Sequence, residues 1–177
     1  MKVLLVCKEM IAYERTAIML LASNLKKRGH EVKAAVMKDF VADQKPKKQS
    51  SKPESLLHSE AYEGKPFTDL AENKSNVDTP EIYDNVFKIV RTFQPDLIGY
   101  SVMTGEHYDV LKLNKSLKKD FNFVSVMGGP HPTFNKQVVE EDGIDAICTG
   151  EGDSSFPEFI RRIESGEEYW LTKSFHV

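Results

Sequence analysis

Short runs of valine, leucine and isoleucine alternate along this chain with stripes of apolar residues at helical spacing, and that alternation constrains the fold more than any other feature. Lys2 to Cys7 is a continuous apolar run, as expected of a strand buried on both faces. Glu14 to Arg28 then places Ala17, Ile18, Leu21 and Leu25 on one helical face. Lys26, Lys27 and Arg28 fill its last turn, and Gly29 stands past its end as a C-cap. His30 to Met37 is a second strand. Asp78 or Thr79 caps a second helix that Pro80 opens, and Ile82, Val86, Ile89, Val90 and Phe93 mark its buried face before Gln94-Pro95 closes it. Asp96 to Val102 is a third strand. Thr104 or Gly105 caps a helix over Glu106 to Lys119, with Val110, Leu113 and Leu117 inward. Phe123 to Met127 is a fourth strand, Asn135 to Asp142 a short helix, and Ile144 to Cys148 a fifth strand. Ser154 or Ser155 caps a last helix with the stripe Phe156, Phe159, Ile160 and Ile163.

Strands that alternate with helices build a parallel sheet covered on both faces. Right-handed crossovers leave few topologies for five such units. The predicted class is α/β, a flavodoxin-like (Rossmann-like) three-layer sandwich with a five-stranded parallel sheet of order 2-1-3-4-5. Ligands of such sheets lie beyond the carboxyl ends of the strands, so the informative loops begin at Lys8, Met103, Gly128 and Thr149. Between 39 and 79 the periodicity fails: Lys45 to Pro53 is polar and broken by proline, which reads as an inserted surface excursion. The main domain is expected over 1–165. The tail 166–177, with Tyr169-Trp170-Leu171, reads as the start of another strand leading towards a missing downstream domain.

Composition removes several classes of function. The 177 residues carry a formal net charge of -3, from 24 Lys plus Arg against 27 Asp plus Glu, so no nucleic-acid partner is expected. The first apolar run turns polar at Lys8, too early for a signal peptide, and no membrane-length run follows; a cytoplasmic protein without a membrane partner is expected. Cys7 and Cys148 match no paired metal spacing. They are read as small core residues that end neighbouring buried strands.

The loops narrow the chemistry further. Loop one, Cys7 to Glu14, has no glycine, which excludes a Gly-x-Gly-x-x-Gly dinucleotide loop and a P-loop, since both need backbone N–H groups brought close to phosphate. The ends of strands three and five read Ser101-Val102-Met103 and Thr149-Gly150-Glu151, where a phosphoacceptor receiver would carry aspartate and lysine. Loop three (Ser101 to His107) combines small hydroxyls with Gly105. Loop four reads Met127-Gly128-Gly129-Pro130-His131-Pro132-Thr133-Phe134, and loop five Thr149-Gly150-Glu151-Gly152-Asp153. Glycines at three of four strand ends remove the Cβ atoms that would block a large flat or extended ligand.

Ser101-Val102-Met103, Gly128-Gly129-Pro130-His131-Pro132-Thr133 and Gly150-Glu151-Gly152-Asp153 followed by Ser155-Phe156 resemble the N-terminal cobalamin-binding domain of cobalamin-dependent radical S-adenosylmethionine enzymes. The resemblance spans the chain from the first strand to the last helix, apart from the insertion. It implies a flavodoxin-like domain with the corrin over the strand ends and the nucleotide tail inserted beside strand four. Ser101 and Thr104, with Val102 and Met103 between them, would then meet the tail or the corrin side chains. Gly128 and Gly129 would leave room for the tail, with Pro130 and His131 beside it, and Thr149, Gly150, Glu151 and Gly152 would meet the tail or the corrin edge.

Two departures qualify this likeness. The Asp-x-His-x-x-Gly pattern of many such domains is missing after strand one, and no histidine precedes His30. Base-off binding without a histidine lower ligand is therefore implied, with Glu9, Met10, Ile11 or Tyr13 facing the lower side of the corrin. The radical enzymes also continue into a barrel with three clustered cysteines for an iron-sulfur cluster, which two cysteines cannot supply. The chain is thus expected to carry cobalamin but no cluster and no complete active site. It would serve a radical S-adenosylmethionine catalytic domain or a methyltransferase, in cis if the chain is a truncation or in trans if it stands free.

Blander readings stand beside these. His131 between prolines is also a rigid turn residue, and Glu106 with His107 opens a helix, where acidic residues favour the macrodipole. Glu106, His107, His131 and Glu151 share one sheet edge, so a metal site there is an alternative. Gly29-His30-Glu31-Val32 after the first helix resembles the N-terminal half of two-domain glycosyltransferases, although loop one lacks the glycines usual there. A pure interaction domain is the third alternative.

Overall fold

A computed structural model describes residues 1–8, 12–37 and 81–177, with only the backbone of 12–15, 81 and 82. The expected insertion at 39–79 and the cap at Asp78 or Thr79 lie outside the described residues. Seven of the elements form in this order: β1 (Lys2–Cys7), α1 (Ala12–Lys27), β2 (Glu31–Val36), α2 (Glu81–Phe93), β3 (Leu97–Ser101), α3 (His107–Leu117) and β4 (Val124–Gly128). Then follow α4 (Pro130–Phe134), β5 (Ala146–Cys148), α5 (Ser155–Ser165) and β6 (Phe175–His176). Single 3-10 turns precede α3 (Thr104–Glu106), follow α4 (Lys136–Glu140) and precede β6 (Tyr169–Leu171).

The sheet order is β2-β1-β3-β4-β5-β6. The first five strands are parallel in the order that the crossover rule demands, and the class is the expected flavodoxin-like α/β sandwich. The expected count of five is corrected to six, because the tail turns back and Phe175–His176 pairs antiparallel with β5. The stacked rings of Phe175 and Phe159, 4.0 Å apart, hold that edge against α5. A second correction concerns the short helix expected over Asn135 to Asp142. The helix starts earlier, with Pro130 at its first position, and the later segment is a 3-10 turn over Lys136–Glu140.

Alternation along the strands builds two cores. Val3, Leu5 and Cys7 of β1 face the layer of α1 and α5, where Ile18, Leu25, Phe156, Phe159 and Ile160 are buried. Leu4 and Val6 face the opposite layer, with Val86, Val90 and Phe93 of α2 and Val110, Leu113 and Leu117 of α3. Cys7 and Cys148 are both buried, as expected of small core residues. They do not end neighbouring strands, because β3 and β4 lie between β1 and β5.

A polar network ties α3 to the β4–β5 connection. The buried Tyr100 hydroxyl donates to Asn114 Oδ1 (3.0 Å), and Asn114 Nδ2 donates to the Gly143 carbonyl (2.7 Å). The one Ser125 hydroxyl proton lies between two acceptors, the same carbonyl at 2.6 Å from Oγ and Asp145 Oδ2 at 2.9 Å. Burial holds the Tyr100 phenol far above its usual range, so it stays protonated and keeps the proton that it donates to Asn114. Among the described residues no helix is long and apolar enough to cross a membrane.

Candidate functional site

The same alternation that builds the cores opens a cavity. On the face covered by α1 and α5, the carboxyl halves of the central strands present Leu5, Gly99, Ser101, Val126, Gly128 and Cys148. Two of these have no side chain. Gly99 of β3 pairs with Val126 and Ser101 pairs with Gly128, so the two glycines lie diagonally on neighbouring strands. A space of about 570 Å³ lies between sheet and helices, within the size range of small-molecule and cofactor sites. Thr16, Ala17, Ile18, Leu20 and Leu21 of α1 form its roof, and Phe156 of α5 its far wall. Gly129, Gly150, Glu151, Gly152 and Asp153 line its carboxyl side. Asn24 of α1 donates from Nδ2 to the Asp153 carbonyl and ties the roof to that loop.

The glycines play different parts. A Cβ on Gly99 would stand 3.1 Å from both Leu5 Cδ2 and Phe156 Cζ, so this glycine lets side chains close beneath the cavity floor. A Cβ on Gly128 would meet nothing closer than 3.9 Å, so Gly128 leaves open space that a larger residue would occupy. Gly129 is a backbone requirement: at φ 98° a Cβ would stand 2.9 Å from Val102 N and 3.0 Å from Val102 O. That close approach is where the Val102 N–H donates to the Gly128 carbonyl (2.9 Å) and His131 N–H to the Val102 carbonyl (3.0 Å).

Of the residues expected to bind a cofactor, the structure brings Ser101, Gly128, Gly129, Gly150, Glu151 and Gly152 together around the cavity. Val102 is buried, and Met103 and Thr104 lead into the 3-10 turn outside the cavity wall. Thr149 points to the β6 edge: its N–H and Oγ1 both donate to the Ser174 carbonyl, at 2.8 and 3.1 Å. Pro130 begins α4 at the edge of the site. Glu9, Met10 and Ile11 lie outside the described residues, and Tyr13 is described by its backbone alone.

His131 belongs to a different environment from the cavity. It is 3% exposed, its ring stacks on His107 with centroids 4.3 Å apart, and its Nε2 has no hydrogen-bond partner among the described residues. Burial, then the neighbouring His107, push its pKa below the usual imidazole value, so it is neutral at pH 7. His107 Nδ1 is 2.8 Å from the Thr104 carbonyl, and Glu106 accepts from the Met103 N–H at 3.2 Å. The alternative of a four-ligand metal site is not formed: among the described residues no three His, Cys, Asp or Glu side chains are placed to share a metal ion.

The sequence reading missed the roof and the wall. An isolated glycine within a strand, Gly99, is a signal of close approach. In α1 the run Ala17-Ile18-Met19-Leu20-Leu21-Ala22 is wider than one buried stripe, and Leu20, 56% exposed, lies over the cavity. Cys148 also lines it, its thiol pushed up by burial and 3.7 Å from Ser155 Oγ. Such a thiol is a neutral wall element, not a nucleophile.

His30, the first histidine in the sequence, lies at the opposite edge of the sheet, with Nδ1 3.4 Å from the Met1 amine and 3.6 Å from Glu164 Oε1. Gly29 beside it has φ 88° and ends α1. Gly-His-Glu-Val is therefore a helix end and a strand start, remote from the cavity.

Comparison with known proteins agrees with this geometry. An uncharacterized methyltransferase, PH0819, of Pyrococcus horikoshii is 34% identical over 91 residues, which make up 49% of this chain and 19% of that protein. The chain thus corresponds to a minor part of that relative's length. Residues 68–160 match the family model of the B12 binding domain, a stretch that includes the cavity walls contributed by β3, β4, β5 and the start of α5. With just over half of the chain matched and the fold and cavity in place, the protein belongs to the B12 binding domain family.

Proposed function

We propose that this chain holds cobalamin at the carboxyl edge of its sheet, with the nucleotide tail in the cavity beneath α1 and the corrin over the strand ends. The observation that carries the reading is the cavity floor. Gly128 puts no side chain into it, Gly99 lets Leu5 and Phe156 pack close against the sheet, and the space of about 570 Å³ between sheet and helices suits an elongated aromatic and sugar-phosphate tail. Ser101 and the backbone of Gly128 would contact the tail, and Gly150, Glu151 and Gly152 the tail or the corrin edge.

The tail enters such a cavity only when it has left cobalt, so binding is base-off. No histidine lies at the end of β1, and His30 is at the wrong edge of the sheet; cobalt is held without a histidine lower ligand from loop one. Glu9, Met10, Ile11 and Tyr13 are the residues assigned to the lower side of the corrin. Bound cobalamin supplies a cobalt centre that accepts and releases an alkyl group. This chain binds, orients and shields it, while a partner catalytic domain, in cis or in trans, performs methyl transfer or radical chemistry with S-adenosylmethionine. The name of the Pyrococcus relative supports methyl transfer. The domain is assigned to 1–165, with its sheet edge completed by β6 of the tail, and the cellular setting to the cytoplasm.

The test is retention of the chromophore. The purified chain is mixed with hydroxocobalamin, desalted and scanned in the visible range. Retained corrin absorbance with a base-off spectrum is expected, and absence of retention at micromolar protein rules the reading out. Gly128→Leu should abolish retention while the far-UV circular dichroism stays unchanged. Full retention by that variant would place the tail elsewhere.

A further inference from the structure

We propose that Thr133 is the positioning residue that sets the separation of the two glycine loops at the cavity mouth. The role rests on the cobalamin reading above. The β4–β5 ladder stops at the pair Met127 and Ile147. Beyond that pair the strands no longer register the loops that follow them, yet Gly129 and Gly150 on those loops both line the cavity. The Thr133 hydroxyl bridges this gap: it donates to the Gly129 carbonyl (2.8 Å) and accepts from the Gly150 N–H (2.9 Å).

Little else restrains Gly150 from this side. It has φ 70°, and a Cβ on it would find no atom within 4 Å. On the far side, Thr149 N–H is held by the Ser174 carbonyl at 2.8 Å. The Gly150 end of loop five is therefore held by β6 on one side and by the Thr133 hydroxyl on the other, while its Asp153 end is tied separately to α1 by Asn24. Because the Thr133–Gly150 bond is exposed, water replaces it when the hydroxyl is removed, and the fold loses little. What is lost is a preset mouth, and a site that must be ordered on binding binds more weakly.

Thr133→Val keeps the shape and removes both hydrogen bonds, whereas Thr133→Ser keeps the hydroxyl. Two readouts on the full chain separate the clamp from the function. Without cobalamin, the Gly150 amide should exchange with deuterium about tenfold faster in Thr133→Val and at the original rate in Thr133→Ser. With hydroxocobalamin, Thr133→Val should bind about tenfold more weakly at an unchanged base-off spectrum, and Thr133→Ser should restore affinity. Unchanged Gly150 exchange in Thr133→Val overturns the proposal. So does faster exchange with undiminished affinity, because the bond would then exist without setting the site. If the unsubstituted chain retains no cobalamin, the functional reading fails, and with it the role of Thr133 towards a tail; the exchange rate then decides only whether the clamp itself exists.

Discussion

Adjacent glycines at the end of β4 should respond in opposite ways to the same substitution. Gly129 sits at φ 98° and ψ -170°, a region open essentially to glycine alone, and holding an alanine there costs about 1–3 kcal/mol. The new Cβ would also stand 2.9 and 3.0 Å from the backbone N and O of Val102, atoms that cannot rotate aside. Forcing a methyl group into such packing costs about another 1–3 kcal/mol. Gly129→Ala is thus expected to lose about 2–6 kcal/mol, which for a domain of this size lowers the melting temperature by roughly 4–24 °C. Gly128→Ala meets only ordinary contacts at 3.9 Å and sits within a strand, so it should melt within about 2 °C of the unsubstituted chain. Thermal unfolding followed by circular dichroism, without cobalamin, measures both. A Gly129→Ala chain as stable as Gly128→Ala would refute the assignment of Gly129 to backbone geometry.

Burial first, and then His107, depress the pKa of His131, so the unfolded chain takes up this proton before the folded one. The stability held by neutral His131 is present above about pH 6.5 and is lost as pH falls through that value towards the lower folded pKa. His30, depressed mainly by burial, acts in the same direction. The melting temperature should therefore fall between about pH 7.5 and pH 5.5, and fall less in His131→Phe, which keeps the ring stack without the titrating group. Asn114→Leu leaves the buried Tyr100 hydroxyl without its 3.0 Å acceptor and should cost about 1–3 kcal/mol in urea unfolding; adding Tyr100→Phe should recover part of that loss. Cys148 should react with iodoacetamide more slowly than a free thiol at neutral pH, and hydroxocobalamin should slow it further. An equal rate with and without cobalamin, read by mass spectrometry, would separate Cys148 from the binding cavity.

Local signals carried most of the architecture. The apolar runs at Lys2 to Cys7 and Ile144 to Cys148, and the stripe Phe156, Phe159, Ile160 and Ile163, report burial within a few residues of themselves. The strand order followed from crossover handedness. The expected helix over Asn135 to Asp142 failed because Pro130 after two glycines starts a turn of helix wherever the preceding backbone allows it. Here the fixed φ of Gly129 and the Val102 carbonyl allow it. The sixth strand was half visible: the tail read as a strand, but its antiparallel direction depends on the turn over Tyr169–Leu171 and on Phe175 finding Phe159.

The composition of the strand-end loops was enough to identify the carboxyl edge as the binding edge and glycine as its principal wall material, because the residue type itself determines how near a ligand can come to the backbone. Which glycines do this, and which serve the chain, depends on neighbours distant in sequence. Gly128 opens space since Cys148 and Tyr100 stay 3.9 Å from its missing Cβ, while Gly129 is required since Val102 lies within 3.0 Å. The cavity itself depends on Gly128 facing the helix layer beside Gly99, where Leu5 and Phe156 close in, and on α1 crossing above them. Sheet register and helix packing are cooperative properties of the whole domain, and no single loop encodes them.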